Sequence, residues 1–179
     1  EIEFKNVWFA YEKDNWVLKD VSFHIHPGEF VAFVGSTGSG KSTIISLMTR
    51  FYDIQKGEIL IDGKNIRDYR LTDLRKNISV VLQDVFLFTG DIASNIRLNN
   101  NDMTDKDIER AIEIACAGDF VESLPNGLKE EVKERGCTFS AGERQLLSFA
   151  RAVVSNPSVL ILDEATASID TETEEMIQE

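Results

Sequence analysis

The chain is short of the residues that staple small extracellular folds. Its 179 residues include two cysteines, Cys116 and Cys137, and two histidines, His24 and His26. The cysteines have no C-x-x-C spacing, so neither a disulfide framework nor a zinc site is expected from them, and a reducing, cytosolic compartment fits. Positive charge is also scarce. Nineteen Lys and Arg stand against 31 Asp and Glu, a net charge of −12, and nucleic acid or an anionic membrane surface as main partner normally calls for a basic face. No nucleic-acid partner is therefore expected. A small polyanion stays open, because the field of a dedicated loop outweighs a distant average. No apolar run approaches the roughly 18 residues of a membrane helix, and Glu1-Ile2-Glu3-Phe4 lacks a signal peptide's basic start and apolar middle. Any link to a membrane is expected to come from a partner or from further sequence. Internal repeats and low-complexity tracts are absent. The 42% hydrophobic and 28% charged residues are ordinary for one globular domain with a sizeable core.

What is present centres on Gly35-Ser36-Thr37-Gly38-Ser39-Gly40-Lys41-Ser42-Thr43, which fits G-x-x-x-x-G-K-[ST]. The apolar run Phe30-Val31-Ala32-Phe33-Val34 before it predicts a strand. Ile44, Ile45, Leu47, Met48 and Phe51 after it predict a helix. Strand, loop and helix in that order suit a polyphosphate: glycines let backbone N–H groups approach its oxygens, and the helix N-terminus adds partial positive charge. In such a loop Lys41 reaches the β- and γ-phosphates and the Ser42 hydroxyl ligates Mg²⁺.

In chain order, Ile2 and Phe4, then Val21, Phe23 and Ile25, alternate with polar residues and predict strands with one wet face, before a Pro27-Gly28 turn. Tyr11 falls in the connection between them. Residues 57–63 read as a short strand with an Asp62-Gly63 turn, and residues 71–76 as a helix. Ile78-Ser79-Val80-Val81-Leu82 predicts a strand buried on both faces, with Gln83 at its C-terminal end, where open α/β sheets place ligands. Residues 91–135 change character: a T-x-x-D cap at Thr104 opens a helix to Ala115, a shorter helix covers 120–124, and Pro125-Asn126-Gly127 turns. This predicts an inserted helical lobe. Ser140 and Glu143 form a capping box for a further helix, which Asn156-Pro157 stops. Val159-Leu160-Ile161-Leu162 then predicts a buried strand ending in Asp163-Glu164. Two acids there are costly unless a cation or substrate uses them. Asp163 suits Mg²⁺ held through water, and Glu164 suits a general base that polarises the attacking water. A last helix is expected from Thr171. It breaks off after about two turns, as in a domain cut short at its C-terminal end.

These residues together resemble the nucleotide-binding domain of ABC transporters, most closely that of multidrug and lipid exporters. The resemblance covers the whole chain. It rests on GSTGSGKST at 35–43, the strand ending in Gln83 with DVFLFTGDIASNI after it, ERG at 134–136, FSAGERQ at 139–145 and VLILDEATASID at 159–170. It implies an α/β fold: a P-loop NTPase core, RecA-like with a mostly parallel sheet, an antiparallel β subdomain and an inserted α-helical subdomain. The expected division is about 1–83 with 156–179 for β subdomain and core, and about 84–155 for the helical part. It implies ATP and Mg²⁺ as ligands, with Gly35, Ser36, Gly38, Ser39, Gly40, Lys41, Ser42 and Thr43 on the phosphates and Tyr11 stacked on adenine. Gln83 resembles the glutamine that contacts Mg²⁺ and the attacking water and senses the membrane partner. Ser140 and Gly142 match signature residues that contact the γ-phosphate held by an opposite subunit. Ser168 and Asp170 match the loop that crosses the dimer interface, and Glu134 a loop that touches transmembrane helices. The implied partners are a second nucleotide-binding domain, as homodimer or paralogue heterodimer, and a transmembrane domain fused upstream. The implied location is the cytoplasmic face of a membrane.

Two departures stand out. The signature usually reads Leu-Ser-Gly-Gly-Gln, and here Phe139, Ala141 and Glu143 replace Leu, Gly and Gln. The family also has a histidine past the loop at Ser168 and Asp170 that contacts the γ-phosphate; His24 and His26 lie far upstream, so that residue is expected in the missing C-terminal end. Two rival readings are a soluble ABC-type ATPase of DNA repair or chromosome maintenance, and a regulatory module that binds ATP without turnover. The first is opposed by the compact acidic chain, the second by Glu164.

Overall fold

A computed structural model describes residues 1–98, 100 and 102–163. The chain divides into two compact units, Glu1–Arg75 and Lys76–Glu179.

In the first unit, β1 (Ile2–Ala10) and β2 (Trp16–Ile25) form an antiparallel pair. Helix α1 (Lys41–Met48) follows the phosphate loop, and β3 (Lys56–Ile61) and β4 (Lys64–Asn65) complete a four-stranded antiparallel sheet in the order β2-β1-β3-β4. The expected alternation holds. Phe4 faces Phe23 on one side and Ile59 on the other, and the Phe4 and Phe23 rings stack at 4.4 Å. Ile2, Phe4, Val7, Phe9, Leu18 and Ile59 are buried, so one face of the sheet carries the core while the other keeps polar side chains, as a half-wet antiparallel sheet should. Asp62-Gly63 makes the β3–β4 turn as expected. Helix α2 (Leu71–Asn77) carries the chain into the second unit.

Two expectations fail in the first unit. Residues 30–34 form no strand, and Phe30 and Val34 are almost fully exposed. A strand owes its stability to ladder bonds with a neighbour and to a covering layer, and no described strand pairs with this run. Among the described residues its one aromatic anchor is Phe33, whose ring lies 5.2 Å from Phe23. Phe51 falls past the end of α1, because Arg50 turns to φ 52°, and its ring is exposed under the Arg75 guanidinium.

The second unit opens with β5 (Ile78–Val81) and the two-residue β6 (Gly90–Asp91). Then come α3 (Ile92–Arg97), α4 (Asp105–Ile114), α5 (Gly118–Ser123), β7 (Glu131–Val132), α6 (Ala141–Val153) and β8 (Val159–Leu162). Ile92, Ile96, Ile108, Ala111, Ile112, Val121, Leu147 and Ala150 share one hydrophobic core. Their spacing of three and four residues on each helix is what turns these faces inward. β5 and β8 pair in parallel, Ile78 with Val159 through Val81 with Leu162. The expectation of full burial is corrected here too. Leu82, Leu160 and Leu162 are exposed, because among the described residues only this two-stranded ladder covers them.

Candidate functional site

The phosphate loop and α1 lie in the first unit. α1 starts on Gly40 in the left-handed region, φ 95°, and among the described residues no side chain caps it, which leaves its first N–H groups without a side-chain acceptor there. Gly40 is also boxed in: a Cβ there would stand 2.7 Å from Leu18 Cδ2. At Gly35 a Cβ would meet Ser39 Oγ at 2.6 Å, a contact that rotation of the serine relieves, so the backbone demand for glycine falls on Gly40. The Lys41 ammonium folds back into the loop and donates to the Gly35 carbonyl at 2.6 Å and the Ser36 carbonyl at 3.3 Å. Ser42 is exposed beside it.

Tyr11 is joined to this loop by its hydroxyl, 3.1 Å from Thr43 Oγ1 in the first turn of α1. Its ring meets Phe9 edge-on at 4.9 Å and Tyr52 at 5.1 Å, and about half of it stays exposed. Tyr11, Lys41, Ser42 and Thr43 are thus brought together within one unit.

Gln83, Ser140, Gly142 and Asp163 belong to the second unit. The parallel ladder continues past β8, with the Asp163 N–H donating to the Val81 carbonyl at 2.9 Å. Asp163 and Gln83 therefore follow the C-terminal ends of two adjacent parallel strands. Glu164, Ser168, Asp170 and the helix expected from Thr171 lie outside the described residues.

Ser140 caps α6 as expected. Its Oγ accepts from the Glu143 N–H at 3.2 Å, while Glu143 Oε2 accepts from the Ser140 N–H at 2.6 Å. The hydroxyl proton remains to be donated elsewhere. Gly142 has open space where a Cβ would stand, and Ala141 is exposed, so its methyl faces outward at the first turn. Phe139 is different. It is buried in the core with its ring edge-on to Phe120 at 5.5 Å, so that departure from Leu is a packing choice. Glu134 sits exposed in a single 3-10 turn, Glu134–Gly136.

Sequence reasoning missed Asn95 and Arg151. Asn95 is buried, and its side chain both accepts from the Phe88 N–H and donates to the Phe88 carbonyl, each at 2.8 Å. Arg151 donates to the Asn95 carbonyl at 2.9 Å, to Asn95 Oδ1 at 3.0 Å and to the Phe86 carbonyl at 2.9 Å. Burial pulls its guanidinium below the usual arginine range. These two residues hold the segment that follows Gln83 against α3 and α6. The available signal was an Asn between Ile92 and Ile96 on an apolar helix face, where an amide needs partners.

A profile described as ABC transporter matches residues 18–167. The chain is 52% identical, over 99% of its length, to a Bacillus subtilis protein named a probable multidrug resistance ABC transporter ATP-binding/permease protein, YheH, of which it covers 26%. It is 51% identical over 99% of its length to the ATP-dependent lipid A-core flippase of Haemophilus influenzae, of which it covers 30%. A solved bacterial Atm1-family ABC exporter with ATP bound superposes with a TM-score of 0.92 at 41% identity, over 99% of this chain and 31% of that one. The chain thus spans between a quarter and a third of the proteins it resembles. No helix among the described residues is long and apolar enough to cross a membrane.

Proposed function

This chain belongs to the ABC transporter family, and from that premise we propose that it is the ATP-binding cassette of an exporter, which binds and hydrolyses Mg-ATP to drive export across a membrane. The observation that carries the proposal is α1: a phosphate loop with Gly40 at φ 95°, an uncapped helix start and the Lys41 ammonium inside the loop. Lys41 exchanges its bonds to the Gly35 and Ser36 carbonyls for β- and γ-phosphate oxygens, while Gly35, Ser36, Gly38, Ser39, Gly40, Ser42 and Thr43 line the phosphates. Tyr11, half exposed and held edge-on by two rings, stacks on adenine.

The donors assigned to magnesium, Ser42, Gln83 and Asp163, are all oxygen. They would hold a hard cation such as Mg²⁺, Asp163 through water. When bound, Mg²⁺ supplies charge neutralisation at the phosphates. Glu164 polarises the attacking water, and Gln83 orients it. The Ser140 hydroxyl, capped yet with its proton free, and Gly142 contact the γ-phosphate held by an opposite cassette, a second copy or a paralogue. Residues 1–83 with 156–179 form the β subdomain and core, and 84–155 the helical part. The full protein carries a transmembrane portion upstream, with the cassette on its cytoplasmic face.

The test uses the full-length transporter. Lys41→Ala removes measurable ATP turnover without lowering the thermal midpoint, because among the described residues Nζ bonds only to two loop carbonyls. Glu164→Gln keeps ATP binding and slows hydrolysis by roughly 10²–10⁴, the worth of a general base. Near-normal turnover in either variant refutes the assignment. Tyr11→Ala weakens ATP binding by about 1–3 kcal/mol, the worth of one base stacked on an aromatic ring, and unchanged affinity in a titration removes Tyr11 from the site.

A further inference from the structure

At one corner of the first unit's sheet, away from any residue given a role above, His24, His26 and Glu1 converge. Alternation along β2 turns Phe23 and Ile25 towards the covered face and leaves His24, with His26 just past the strand end, on the open one. The two imidazole rings stand 4.2 Å apart, centroid to centroid. Across the ladder Ile2 faces Ile25, which sets Glu1 beside the histidines, and Glu1 Oε2 lies 3.2 Å from His24 Nε2. One ligand atom from each of the three residues lies within 4.8 Å of the other two, and all three residues are exposed. The Glu29 carboxylate, accepting from the His26 N–H at 2.8 Å, adds negative charge at the following turn.

We propose that His24, His26 and Glu1 bind a divalent transition-metal ion of the zinc class, with water in the remaining positions. Two imidazole nitrogens and one carboxylate oxygen are a donor set that zinc, nickel and copper take, whereas magnesium prefers an all-oxygen shell. Donors around one zinc stand roughly 3.3 Å apart, given bonds of about 2.0–2.1 Å and tetrahedral angles. Exposed side chains already within 4.8 Å reach that spacing by small rotations. The ion clips the end of β2, an edge strand, to the start of β1. It stabilises the folded sheet by mass action, since the unfolded chain does not hold the three donors together.

The experiment uses full-length protein without an oligohistidine tag, freed of nucleotide and stripped with a chelator. Calorimetric titration with ZnCl₂ is expected to find one more Zn²⁺ per chain in the wild type than in the double variant His24→Gln, His26→Gln. Zn²⁺ should raise the thermal midpoint of the wild type and leave that of the variant where it is. Co²⁺ should give the wild type a visible ligand-field absorption that the variant lacks, and excess Mg²⁺ should not remove it. Equal zinc uptake with equal thermal response in both proteins overturns the proposal. So does displacement of the ion by Mg²⁺, which marks a diffuse acidic surface. Both substitutions exchange exposed polar side chains, and an unchanged far-ultraviolet circular dichroism spectrum confirms that the variant is folded.

Discussion

Helices α1 and α6 both begin beside residues assigned to phosphate, yet they begin in opposite ways. α6 opens with a reciprocal box between Ser140 and Glu143, and α3 and α4 do the same with Asp91 and Ser94, and Thr104 and Asp107. α1 opens on a left-handed glycine with no side-chain cap. Where backbone N–H groups are to meet a ligand, the chain leaves them to it. Where a side-chain hydroxyl is to make the contact, the box can close, because Ser140 Oγ accepts from Glu143 and still has a proton to give.

The most damaging way to break this contrast is Gly40→Ala. The left-handed backbone costs a non-glycine residue about 1–2 kcal/mol. The new methyl also meets Leu18 Cδ2 at 2.7 Å. The expected result is a lower thermal midpoint together with weakened ATP binding, because the same residue shapes the loop. Ser140→Ala costs less, about 1 kcal/mol for a lost N-cap, and also lowers turnover. Ser140→Asn sharpens the point: asparagine caps as well as serine, so stability returns while turnover stays low if the hydroxyl meets the opposing phosphate. Recovery of both together would reduce Ser140 to a cap.

The smallest effect concerns α4. Hydrogen bonds from the Thr104 side chain and backbone hold the Asp107 carboxylate below the usual range. A carboxylate depressed in the folded state stabilises it above the unfolded-state pKa, and that contribution fades as pH falls through the folded value. The thermal midpoint should therefore drop on acidification below about pH 4, the ordinary carboxylate range. The Asp107→Asn variant should show a shallower drop over the same window.

Much of the site was legible because its signals are local. Caps and turns depend on residues three or four positions apart, so the boxes of Ser140 with Glu143 and Thr104 with Asp107 fell where the sequence placed them, whereas the bond from Lys41 to the Gly35 carbonyl carried no signal of its own. The ends and environments of apolar runs were less legible. Residues 30–34 have the composition of a strand, but strand formation needs a partner that the run itself cannot specify. Leu160 and Leu162 are apolar, yet among the described residues no layer covers them. The replacement of Leu by Phe139 is a departure from the usual signature whose meaning the motif itself does not give. Only its contact with Phe120 identifies it as core.

By itself, the sequence determined the family, the phosphate loop, the helix caps and the alternation that builds the antiparallel sheet, since each follows from stereochemistry within a few residues. Tertiary structure alone decided that Asn95 and Arg151, 56 positions apart, clamp the segment behind Gln83, and that Glu1 reaches His24. It also set Asp163 level with the end of β5, through its bond to Val81. The physical reason is the same in each case. A buried polar group must find a partner wherever the chain brings one, and a ladder's register is set by the packing of whole faces, which no short window of sequence contains.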